Sequence, residues 1–103
     1  MAEVGDGMEA VQRTAELQPD LILLDIGLPT LNGIEAARRM LELVPAAIIL
    51  FVSLNNDPFV VDGAMSTGAK GYVGKQDAMT DLLPAVEAVL RGAHFVSTRV
   101  AKA

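Results

Sequence analysis

Three polar residues of this 103-residue chain stand at the carboxyl ends of short apolar runs. Asp25 follows Leu21, Ile22, Leu23 and Leu24, Ser53 follows the run 46–52, and Lys75 comes one residue beyond Gly71, Tyr72 and Val73. A carboxylate, a hydroxyl and an ammonium together suit a phosphoryl group carried on Asp25, its oxygens met by the Ser53 hydroxyl and by Lys75 as a point charge. Each residue has an ordinary competitor: a strand-terminal Asp capping a turn, a Ser bonded to nearby backbone, a solvated surface Lys. Placement is what joins them, because ligands of an open parallel sheet bind outside the carboxyl ends of its strands.

Strands and helices must alternate for those three ends to meet. Asp6 and Glu9 have the spacing of a capping box, and Met8, Val11 and Ala15 then share one face, which predicts a helix over 7–18. The strand 21–24 is apolar on both alternating faces, as expected of a parallel sheet covered on two sides. Asn32 and Glu35 repeat the capping pattern ahead of the stripe Ile34, Ala37, Leu41 and Val44, which Pro45 stops. A strand over 46–52 follows, then Asp57 and Pro58 as N-cap and first helical residue of a helix closed by Gly68. After the strand 71–73, the apolar residues Leu82, Leu83, Val86, Val89 and Leu90 mark a last helix ended by Gly92. Pro84 belongs in its first turn, since deeper inside it removes a hydrogen bond at about 3 kcal/mol, so the start is placed near Asp81. Right-handed crossovers then give an α/β fold, a doubly wound parallel sheet with helices on both faces.

Composition bounds what such a domain does. The length suits one small domain. The longest apolar run, 46–52, is far below the roughly 20 residues of a membrane helix, and the first residues have neither the basic nor the apolar region of a signal peptide. There is no cysteine, which excludes disulfides and thiolate chemistry and fits a cytoplasmic protein. Thirteen acidic against eight basic residues, a net charge of -5 with no cationic cluster beyond Arg38-Arg39, speak against direct nucleic-acid binding. No base adjoins a nucleophile, so hydrolytic enzymes have little support and the chain reads as no enzyme. His94, the one histidine, has no metal-spaced partner and reads as a surface or interface residue.

The segments PDLILLDIGLPTLNGIEA, FVS, GAKGYVGK and AVLRGAHFVS resemble the receiver domain of two-component response regulators, particularly the NarL/LuxR-type transcription factors. That resemblance implies a flavodoxin-like fold in which a sensor histidine kinase phosphorylates Asp25 and a protein-protein interface switches to control transcription. It implies that Ser53 and Lys75 contact the phosphoryl group and that Tyr72 moves inward when Ser53 shifts, a simple core-edge tyrosine being the alternative. Pro29 and Gly33 then shape the loop after Asp25, Asn55 and Asn56 tune phosphoryl lifetime, and Gln76 stands where many receivers carry a cis proline.

The same resemblance implies what the chain lacks. A complete receiver begins with a strand, a terminal acidic pair and a helix, so residues 1–103 are expected to form an N-terminally truncated receiver, with 1–4 as its second strand and no output DNA-binding domain. The acidic pair holds Mg²⁺ together with the phosphoacceptor and a backbone carbonyl, here that of Gly27. With Asp25 and Gly27 alone the site is incomplete and Mg²⁺ binding is expected to be weak. In the family's strand order the missing strand neighbours 21–24, whose bare edge is a template for another strand. The expected consequences are that residues 2–4 fill the gap or that the chain forms a homodimer. A phosphorylation-independent interaction module is the alternative function.

Overall fold

The computed structural model describes residues 7–18, 20–27, 31–55 and 57–97. Expectations that fall on Asp6, Pro29, Asn56 or the strand at 1–4 lie outside these residues. Helix α1 spans Gly7–Leu17, strand β1 Leu21–Leu24, α2 Gly33–Leu43, β2 Ile48–Ser53, α3 Pro58–Met65, β3 Gly71–Gly74, α4 Ala78–Leu90 and β4 Phe95–Val96. All pairings are parallel, in the order β1-β2-β3-β4.

The caps foreseen from the sequence form. The Asn32 side chain accepts from the Glu35 backbone N–H at 3.0 Å, and Asp57 accepts from that of Phe59 at 2.9 Å with Pro58 at the first helical position. Gly68 stands beyond α3 at a φ of 104° and Gly92 beyond α4 at 88°, left-handed backbone that glycine adopts without strain. The alternating faces of the strands bury into two cores. One joins α1, α2 and α3 to the sheet through Ala10, Met40, Phe51, Ala64 and Tyr72; the other seats α4 on the opposite face through Leu21, Leu50, Val73, Ala85 and Val89.

Two features correct the sequence reading. Helix α4 begins at Ala78, led in by a 3-10 turn at Lys75–Asp77, so Pro84 lies inside it and not in its first turn. The position is tolerated because Pro84 and Thr80 are both exposed, where water can replace the helical partner that the Thr80 carbonyl loses. Strand β4 was not foreseen; two residues are too few for a periodicity, and β3 defines it by pairing Gly71 with Phe95 and Tyr72 with Val96. No peptide bond among the described residues is cis, so Lys75-Gln76 is trans.

Candidate functional site at the carboxyl edge of the sheet

Register brings the predicted residues together. Leu24 of β1 pairs with Phe51 of β2, Phe51 with Tyr72 of β3, and Ser53 with Gly74. Asp25 is the first residue past β1, Ser53 is the last of β2, and Lys75 is the first past β3. They therefore emerge at one edge, where a cleft of about 290 Å³ is lined by Asp25, Ile26, Gly27, Ser53, Leu54, Asn55 and Lys75.

Asp25 is the centre of this cleft. Its Oδ2 receives the Lys75 ammonium at 2.5 Å and its Oδ1 accepts the Gly27 backbone N–H at 3.1 Å. Burial works to raise the Asp25 pKa. The Lys75 hydrogen bond, the Gly27 N–H, the Lys75 charge and the Ile26 N–H outweigh it, and the carboxyl sits below its ordinary range. The loop is closed by the Gly33 N–H, which donates to the Ile26 carbonyl at 2.8 Å and brings the start of α2 against the strand end. A Cβ on Gly33 would stand 2.1 Å from the Asp25 carbonyl oxygen, so this approach requires glycine.

Ser53 is buried, and its Oγ accepts the Asn55 backbone N–H at 3.1 Å. A hydroxyl that accepts still has its own proton for a further acceptor. Tyr72 is fully buried, tilted against Phe51 with ring centroids 6.0 Å apart, and its hydroxyl donates to the Asn55 carbonyl. Burial pushes the Tyr72 pKa up; the Ser53 hydroxyl works against this and the Asp25 charge adds to it. Asp25 and Ser53 make the local backbone bonds of the ordinary readings and also converge on the same cleft. Lys75 is paired with Asp25 and is not merely solvated.

Asn55 has a structural part that side-chain chemistry did not suggest. Its backbone serves both Ser53 and Tyr72, and its side chain accepts the Asp57 N–H at 2.9 Å, turning the chain into α3. The spacing Asn55-x-Asp57 of an Asx turn was the available sign. Gly27 lines the cleft, whereas His94 and Gln76 do not.

A divalent cation finds few donors here. Mg²⁺ wants near-octahedral oxygen ligands and usually several charges. Among the described residues no three His, Asp or Glu side chains gather to hold a metal, and both oxygens of Asp25 already accept hydrogen bonds. The described donors therefore do not make a Mg²⁺ site by themselves.

Comparison with known proteins agrees with this architecture. The response regulator receiver domain family matches residues 1–87. The DNA-binding transcriptional activator EvgA of Escherichia coli K12 is 35% identical over 92 residues, 89% of this chain and 45% of EvgA. The transcriptional regulatory protein DegU of Brevibacillus brevis is 34% identical over 100 residues, 97% of this chain and 42% of DegU. The crystal structure of a LuxR-family two-component response regulator from Aurantimonas sp. SI85-9A1 superposes with a TM-score of 0.92 at 34% identity, over 99% of this chain and 73% of that one. The chain spans less than half the length of these curated relatives. Receiver domains are signalling modules and not enzymes, and they generally bind Mg²⁺ at the phosphorylation site. With the family match, this identity and the parallel sheet in agreement, the chain belongs to the response regulator receiver domain family of two-component systems.

Proposed function

We propose that the domain accepts a phosphoryl group on Asp25 from the phosphohistidine of a sensor kinase and relays the change to a transcriptional output. The observation that carries this is the Asp25–Lys75 contact within a cleft that Ser53 also lines. In the transfer, one carboxylate oxygen of Asp25 attacks phosphorus; the bond from phosphorus to the histidine nitrogen breaks, an acyl phosphate forms, and the freed nitrogen retains its electron pair. A carboxylate held below its ordinary pKa is fully ionised for this attack at neutral pH. Lys75 then meets the added negative charge and the Ser53 hydroxyl donates to a phosphoryl oxygen, while Tyr72 reads the position of the loop through Asn55.

A phosphorylation-independent module that forms a homodimer is the second reading, favoured by Asp25 being the one carboxylate among the described residues that line the cleft. Within the described sheet β1 has one neighbour, β2, and pairing of a second copy along its other edge would form the dimer. Acetyl phosphate, offered with and without Mg²⁺ and followed by intact mass, separates the two. The expected result is an adduct that Asp25→Asn abolishes. Absence of any adduct, together with no shift of the Ser53 and Tyr72 amide resonances in beryllofluoride, overturns the first reading. Concentration-dependent dimerisation in the same samples would then uphold the second.

A further inference from the structure

We propose that Ser97 is a positioning residue for Lys75, acting through the backbone of Gly74; this rests on the phosphoacceptor reading of Asp25. The parallel ladder between β3 and β4 runs from the Phe95 N–H on the Lys70 carbonyl, at 3.1 Å, to the Ser97 N–H on the Tyr72 carbonyl, at 3.0 Å. In a regular parallel ladder the next rung would be the Gly74 N–H on the backbone carbonyl of Ser97. Here that N–H goes instead to the Ser97 side-chain Oγ, at 3.3 Å.

The substitution of a hydroxyl for a carbonyl falls where β3 gives way to the turn at Lys75–Asp77. Ser97 is fully buried, and Gly74 is buried beside it, so the Gly74 N–H has no water to replace a lost acceptor. Ser97 thus grips the chain at two points: the Tyr72 carbonyl by its own N–H and the Gly74 N–H by its hydroxyl. Lys75 is the next residue, and its ammonium ends on Asp25 Oδ2. A long, half-exposed lysine delivers its charge to one oxygen only if its Cα is held, and Ser97 supplies the hold from outside the cleft. Ser97 touches no reacting atom.

The test follows the reactivity of Lys75 to limiting acetic anhydride, with Lys70 as the internal reference. A paired ammonium is protected, so Ser97→Ala is expected to raise Lys75 acetylation about fivefold relative to Lys70, the effect of losing one hydrogen bond of about 1 kcal/mol. An unchanged ratio, or an equal rise at both lysines, overturns the proposal. In the unsubstituted protein the Gly74 amide is expected to exchange with solvent at least about tenfold more slowly than an unbonded loop amide. Free exchange at Gly74 overturns the proposal even if Ser97→Ala does not fold. Neither readout needs phosphorylation, so failure to form an adduct would strike the phosphoacceptor reading and leave these results standing. Where the adduct forms, Ser97→Ala is expected to slow it about threefold or more, and to have no further effect in a Lys75→Ala background. Equal slowing in both backgrounds would mark a merely structural residue and overturn the proposal.

Discussion

Replacing Gly33 by Ala tests whether the cleft depends on α2 standing against the end of β1. The added Cβ would lie 2.1 Å from the Asp25 carbonyl oxygen, 2.7 Å from Ile26 Cα and 2.8 Å from the Asp25 carbonyl carbon. Relief to an ordinary contact of 3.4 Å requires backbone to move by more than about 1 Å, because no side chain is available to yield. Overpacking of this kind costs about 1–3 kcal/mol. Withdrawal of α2 also stretches the Gly33 N–H to Ile26 carbonyl bond, worth about 1 kcal/mol. Alanine's better helix propensity returns less than about 1 kcal/mol. The net expectation is a loss of about 2–3 kcal/mol, or about 10–15 °C in Tm for a domain of this size. Gly63→Ala, inside α3 with its Cβ 3.7 Å from Ile34 Cδ1, meets no backbone and is the control; it is expected to gain about 0.5–1 kcal/mol. Urea unfolding of both variants beside the parent gives the answer. A Gly33→Ala protein within about 0.5 kcal/mol of the parent would refute the close approach and the cleft geometry built on it.

Lys75→Ala removes the hydrogen bond and charge that lower the Asp25 pKa and leaves the burial that raises it, so a carboxyl titration followed by NMR is expected to move upward. In the parent, the depressed folded pKa gives stability that is present above the unfolded value near 3.8 and lost as pH falls through the folded value; in the variant this loss on acidification is expected to shrink or reverse. With side chains 34% and 44% exposed, the pair itself contributes less than about 1 kcal/mol, so an unmoved titration, not an unmoved stability, would contradict the assignment. Pro84→Ala restores a helical N–H to the Thr80 carbonyl on an exposed face and is expected to stabilise the protein by about 1–3 kcal/mol in thermal unfolding; a loss would mean that α4 does not run straight through this position.

What could be read from the sequence was whatever has a local cause. Leu21 to Leu24 are apolar on both faces because helices cover both sides of β1, and the caps at Asn32 and Asp57 satisfy donors within their own first turns. Pro84 misled because local chemistry places proline in a first turn, whereas packing of Ala78, Ala85 and Val89 against the sheet carries α4 past it. Strand β4 and the Ser97 hydroxyl could not be read from any window, since what defines them is the edge of β3, twenty and more residues away in the chain.

The site shows the same division, and there it decides the chemistry. That Asp25, Ser53 and Lys75 share an edge follows from strand order alone, because parallel strands put all carboxyl ends on one side. How they are held does not. The bonds that look merely structural do the holding: Gly27 N–H fixes one oxygen of Asp25, Asn55 N–H fixes Ser53, and the Asn55 carbonyl ties Tyr72 to that same loop. Capping its own turn is therefore compatible with the phosphoacceptor role proposed for Asp25. With one oxygen bound to its own turn, the carboxylate cannot rotate away from Lys75 without breaking a backbone hydrogen bond, and the capping bond is what presents its other oxygen to the cleft.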